Sequence, residues 1–188
     1  KVTARDSKGA KVEAKFKVTV KQKQIVKQET LYNTLYKAIT NLEPEVDLSK
    51  FTRNSKVAFE VLTTILKEHP EIYYFKHQGS SFWNNGRFEL KYKFSKAEIQ
   101  NTNNRIEKIA KKIISENIHA GMTEYEKVKA LHDYVVLNTA YDYDNYLNNS
   151  IPDSSYNING LLLYGTAVCD GYAKTMLYLL EKVNIETL

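Results

Sequence analysis

The chain has 188 residues, 43% of them hydrophobic and 12% aromatic, which is enough apolar side chain for a packed core and too much for a disordered segment. Its net charge of +5 is local: residues 1–27 hold nine Lys/Arg against Asp6 and Glu13, a surplus of +7, and the remainder sums to −2. That distribution reads as one solvated basic face in preference to a nucleic-acid surface, where cations and stacking aromatics would be interleaved, and the expectation is no nucleic-acid partner.

Cys169 is the single cysteine, so no intrachain disulfide can form, and no apolar run approaches a membrane span. With one cysteine and scattered histidines no zinc spacing exists, and there is no glycine-rich phosphate loop. The expectation is therefore no metal and no cofactor.

In chain order, residues 1–22 read as a basic β-hairpin. Val12, Ala14, Phe16, Val18 and Val20 alternate with charged neighbours, and Asp6-Ser7-Lys8-Gly9 supplies a turn. The hairpin resembles the last two strands of a bacterial immunoglobulin-like module. From Gln28 the period becomes helical, with Leu31, Leu35, Ala38 and Ile39 on one stripe and Ala58, Val61, Leu62, Ile65 and Leu66 on the next. The second stripe stops at His69-Pro70. Ile72-Tyr73-Tyr74-Phe75 reads as a strand, and Ser81-Phe82-Trp83 with Arg87 to Tyr92 as a hairpin turning through Asn84-Asn85-Gly86. Two capping boxes, Ser95-x-x-Glu98 and Thr123-x-x-Glu126, then open two amphipathic helices; Val128, Leu131, Val135 and Val136 form the apolar stripe of the second.

Residues 139–157 read as a long polar loop, a length that is often functional. Within it, Asp142-Tyr143-Asp144-Asn145-Tyr146 has the alternating acids of a calcium loop. It lacks the third oxygen ligand, the turn glycine and the terminal Glu, and so reads as turn-forming polar sequence. A last helix runs from about Cys169 to Val183, burying Ala173, Met176, Leu177 and Leu180 and docking on the helix that starts at Thr123.

Cys169 has two readings. As the first residue of a helix it sits beside unpaired N–H groups and the positive dipole end, both of which favour the thiolate nucleophile. On the face shared with Ala173, Met176 and Leu180 it is instead a small buried apolar residue. Its neighbourhood adds a resemblance. Tyr164-Gly165-Thr166-Ala167-Val168-Cys169-Asp170-Gly171-Tyr172-Ala173-Lys174, preceded by Leu131-His132-Asp133-Tyr134-Val135 and Asn138-Thr139-Ala140-Tyr141-Asp142, resembles the nucleophile segment of the bacterial transglutaminase-like superfamily over about residues 120–188.

The resemblance implies a papain-like arrangement of Cys thiolate, His base and an orienting Asp or Asn, with His and Asp/Asn on strands downstream of the cysteine helix. None of His69, His77, His119 or His132 lies in that order, so the expectation is a domain interrupted after its nucleophile helix, with Cys169 its sole catalytic residue here and the 188-residue chain inactive alone. His132 reads as a helix-surface or core-edge residue, and Asp170 as a capping or solvated acid. An oxyanion hole would use the Cys169 N–H and a second donor, for which Tyr141, Tyr156 and Tyr164 stand equal.

The expected architecture is α+β: a hairpin over 1–23, an α+β region with a small antiparallel sheet over 24–120, and a partial transglutaminase-like, cysteine-protease-like core over 121–188. The expected function is acyl transfer through a thioester at Cys169, by hydrolysis or Gln–Lys cross-linking of a peptide or protein substrate. The alternative is a non-catalytic surface module that keeps the fold for binding. The resemblance also implies a bacterial extracellular or cell-surface setting. An exposed flank on the last helix would favour a homodimer or strand exchange.

Overall fold

The computed structural model describes residues 2–5, 11–14 and 22–187, with side chains from residue 30 onward. The fold is α+β. Strand β1 (Val2–Arg5) pairs antiparallel with β2 (Lys11–Ala14), Val2 opposite Ala14 and Arg5 opposite Lys11. The expected turn at 6–9 and the strand continuation over 15–20 lie outside the described residues. Helix α1 (Gln22–Thr40), strand β3 (Glu45–Asp47) and helix α2 (Ser55–Glu68) follow. Strands β4 (Ser81–Phe82) and β5 (Arg87–Glu89) close a small antiparallel sheet of order β3-β5-β4. The second half is helical: α3 (Lys96–Asn117), α4 (Glu124–Leu137), α5 (Tyr143–Leu147), a 3₁₀ turn (Asp153–Tyr156), α6 (Ile158–Tyr164) and α7 (Cys169–Glu181). Two-residue strands β6 (Ala140–Tyr141) and β7 (Thr166–Ala167) pair in parallel.

The helices start where their capping chemistry dictates. The Ser95 hydroxyl accepts the Glu98 N–H, and the Glu98 carboxylate accepts the Ser95 N–H at 2.8 Å; Thr123 and Glu126 repeat the exchange, also at 2.8 Å for the returning bond. Each box satisfies N–H groups that the first helical turn leaves without partners. One continuous core runs from Leu31 in α1 to Val183 beyond α7. Leu35 and Ile39 of α1, Leu62 and Ile65 of α2 and Phe88 of β5 are all 0% exposed, and the rings of Phe59 and Phe82 meet Phe88 at 5.1 and 5.6 Å.

Three sequence expectations are corrected. Ile72, Tyr73, Tyr74 and Phe75 form a buried turn instead of a strand; all four point into the core, which an alternating strand cannot achieve, and a single bridge joins Phe75 to Tyr92. In α4 the buried residues are Leu131 and Val135, while Val136 is exposed. In α7 the inward face is Gly171, Thr175, Tyr178, Leu179 and Leu180; Ala173 faces solvent, and Met176 and Leu177 are half-buried. The helix is rotated because small and polar residues occupy the closest approach. Thr175 donates to the Gly171 carbonyl at 2.8 Å and Tyr178 to Glu107 at 3.1 Å, so their hydroxyls are satisfied inside. Helix α7 packs against α4, as expected, and also against α6, a helix the polar sequence around it concealed.

Candidate functional site

Cys169 is exposed, which removes the buried-thiol reading. It is the first residue of α7, behind an extended Val168 whose side chain has no capping capacity, so the first-turn N–H groups receive no side-chain cap.

The neighbours of the thiol are brought in by the β6–β7 pair. The Ala140 N–H donates to the Gly165 carbonyl at 2.9 Å and the Asp142 N–H to the Ala167 carbonyl at 3.0 Å. Gly165, at φ 65°, supplies the left-handed turn that ends α6 and sends the chain into β7. This pairing sets Tyr141 against Cys169. The Tyr141 phenol lies near enough to Cys169 to feel both its thiol and its backbone N–H. Desolvation, followed by the charge of the adjacent sulfur, raises the phenol above its ordinary value. The Tyr141 ring stacks on Tyr172 at 6.4 Å, and Tyr172 donates to the Thr139 carbonyl at 2.8 Å.

The loop over 142–157 is fixed to the same helix end. Asp142, 7% exposed, accepts from Ser155 Oγ at 2.6 Å and from Asn145 Nδ2 at 2.8 Å, while the Ser155 carbonyl accepts the Val168 N–H at 2.9 Å. Gly171 allows the approach: a Cβ there would stand 2.5 Å from the Ser155 carbonyl oxygen. Lys174 bridges the exposed Asp170, at 2.8 Å, and the Tyr156 carbonyl, at 2.9 Å. Each residue of Cys-Asp-Gly-Tyr-Ala-Lys other than Ala173 thus either presents the thiol or ties the loop to it.

Of the three tyrosines that stood equal in the sequence, only Tyr141 meets Cys169 in these contacts. Tyr156 gives its carbonyl to Lys174, and Tyr164 lies exposed at the end of α6. The Asp142–Ser155 tie had no sequence signal, because it follows from a pairing of only two residues per strand.

The histidines engage other groups. His132 is exposed beside Asp133, with 3.2 Å between Nδ1 and the carboxylate. The His77 ring packs on Phe59, and the backbone of His119 meets the Met122 sulfur. His69 is the partly buried one: Nδ1 lies 3.0 Å from Glu71 and Nε2 2.8 Å from Tyr32 Oη, which itself donates to Glu68 at 2.6 Å. With the Tyr32 proton committed to Glu68, both His69 nitrogens act as donors, the arrangement of an imidazolium. A cavity of about 500 Å³ between α3 and the far end of α7 is lined by Glu71, Glu107, Tyr178 and Lys182, at the opposite end of α7 from Cys169.

Residues 107–187 match the family model described as the transglutaminase-like superfamily. Over those residues, less than half of the chain, the sequence is similar to the transglutaminase-like superfamily. That match covers α4, α6, α7 and the loop between them, the elements that build the surroundings of Cys169, and it fits a cysteine-protease-like fold. No curated protein matches the chain. Among the described residues, no group of three or more metal-ligating side chains converges, and no helix is long and apolar enough to cross a membrane.

Proposed function

We propose that Cys169 is the nucleophile of a cysteine acyl-transfer enzyme. The observation that carries the reading is the convergence of an exposed thiol, an uncapped helix start and the Tyr141 hydroxyl, inside a stretch similar to the transglutaminase-like superfamily. The sulfur attacks the carbonyl carbon of a peptide or glutamine amide, and the carbonyl oxygen takes up negative charge. Collapse of the tetrahedral adduct expels the protonated amine and leaves a thioester. Water then gives a carboxylate and the free thiol, and a lysine amine gives a cross-link. The Cys169 N–H and the Tyr141 O–H are the two donors available to the oxyanion. In this reading the histidine that shuttles the proton, and its Asp or Asn partner, come from outside residues 1–188.

The test has two parts. In the intact natural protein, Cys169 should be alkylated by iodoacetamide at neutral pH at least about tenfold faster than an unstructured thiol; an equal rate overturns the reading. Tyr141→Phe should lower the acyl-transfer rate by about a hundredfold. It should cost alkylation far less, because alkylation develops no oxyanion.

One observation favours a second reading, a non-catalytic binding module: all four histidines have contacts away from Cys169. That reading predicts ordinary thiol reactivity and no turnover of amide substrates by the intact protein.

A further inference from the structure

The 3₁₀ turn that carries Ser155 is gripped by a side chain from outside the stretch similar to the transglutaminase-like superfamily. That stretch begins at residue 107, and Lys93 precedes it. The Lys93 ammonium donates to both carboxylate oxygens of Asp153, at 3.0 and 2.8 Å, across 60 positions of sequence.

The two ends of this pair are anchored unequally. The Lys93 N–H donates to the carbonyl of buried Tyr74 at 2.8 Å, and two residues on Ser95 caps α3, so the Lys93 backbone is fixed on both sides. Asp153 opens the 3₁₀ turn behind residues 146–150, every one of them exposed. From the turn the constraint reaches the thiol in two steps. The Asp153 carbonyl accepts Asn157 Nδ2 at 2.7 Å, which ties the far end of the turn to its first residue. The Ser155 carbonyl accepts the Val168 N–H at 2.9 Å, and Cys169 follows directly.

We infer that Lys93 is a positioning residue for Cys169: through Asp153 it registers the 3₁₀ turn, and with it the start of α7, against the α+β region upstream. Its weight in catalysis rests on the acyl-transfer reading of Cys169. Exposure bounds the size of the effect. The Lys93 side chain is 29% and that of Asp153 61% accessible, and an ion pair so placed shifts an equilibrium by at most about fivefold. That is too little to decide folding and enough to change how often the turn is released.

Two measurements on the folded full chain test this. Lys93→Met keeps the aliphatic stem and removes the charge. It should move the amide NMR resonances of Val168 and Cys169 and leave that of Ile65, in α2, in place. Asp153→Asn should move them the same way, the double variant should add nothing further, and Lys93→Arg should return them. Alkylation of Cys169 by iodoacetamide should slow in the same variants, by up to about fivefold, and recover with Arg. A pair that only adds to overall stability moves neither readout, since both report on the native state. Val168 and Cys169 resonances that ignore Lys93→Met, or a Lys93→Arg variant that behaves like Lys93→Met, overturn the inference. Where the wild-type thiol is activated, an alkylation rate indifferent to Lys93→Met overturns it too. A wild-type Cys169 that alkylates as an unstructured thiol overturns the nucleophile reading alone, and the resonances still judge the ion pair.

Discussion

The α1–α2 interior and the loop around Cys169 are stabilised in opposite ways. Between α1 and α2, fully buried Leu35, Ile39, Leu62 and Ile65 contribute area removed from water, a non-directional gain that tolerates small shifts. Around Cys169, the chain is positioned by directional ties: Asp142 to Ser155, Tyr172 to the Thr139 carbonyl, Lys174 to the Tyr156 carbonyl, with Gly171 providing clearance. The first region decides whether the protein is folded. The second decides where one sulfur atom sits, and leaves large aromatic surfaces in water while doing so.

The difference can be broken by substitution. The largest expected effect is from Leu62→Ala, which opens a cavity at a fully buried position and should cost about 2–5 kcal/mol in denaturant unfolding. The alkylation rate of Cys169 in the folded fraction should stay at the wild-type value; a rate that falls with stability would mean that the two regions are coupled. Gly171→Ala should cost less, about 1–3 kcal/mol, because its Cβ meets main-chain oxygen and forces the 3₁₀ turn to move. Here the alkylation rate should change several-fold, the reverse of the Leu62 pattern, and labelling kinetics beside a melt distinguish the two.

The smallest effect concerns a polar tie on the interior side. Burial alone would push His69 down, but the hydrogen bond and charge of Glu71, with Glu181 and Glu68 behind it, prevail and raise it above the ordinary 6.5. The native state then holds the His69 proton more tightly than the unfolded chain does. Its stabilising contribution is full below about pH 6.5 and is lost as pH rises through the raised folded value. The stability difference between wild type and His69→Gln should therefore be larger at about pH 5.5 than at about pH 8.5, read from denaturant midpoints. A difference independent of pH would show that the imidazole acts through shape alone.

What was legible in the sequence divides along the same line. Helix starts at Ser95 and Thr123 and the stop at His69-Pro70 were legible because local chemistry fixes them within a few residues. The face of α7 was misread because Gly171 and Thr175 point inward: closeness of approach, which apolar periodicity does not record, set the rotation. Ile72 to Phe75 looked like a strand since four apolar residues in a row fit either a strand buried on both faces or a buried turn. At the site, the position of Cys169 was visible from its motif. That Tyr141, and neither Tyr156 nor Tyr164, lies near Cys169 was not, because it depends on the parallel pairing of β6 with β7 across residues far apart in sequence.

The clearance at Gly171 has a consequence for how this segment can vary. The atom that a Cβ would strike first is the main-chain oxygen of residue 155, which every amino acid carries, with the Ala167 Cβ next at 2.9 Å, and Lys174 likewise grips the main-chain oxygen of residue 156. No replacement at 155 can make room for a larger residue at 171, and the Ser155 hydroxyl is itself tied to buried Asp142, so both positions are constrained. The outward side chains at 146, 147 and 156 can then be rewritten through many substitutions without displacing the sulfur. The position of the sulfur is thus encoded largely in main-chain contacts, apart from the exposed side chains around it.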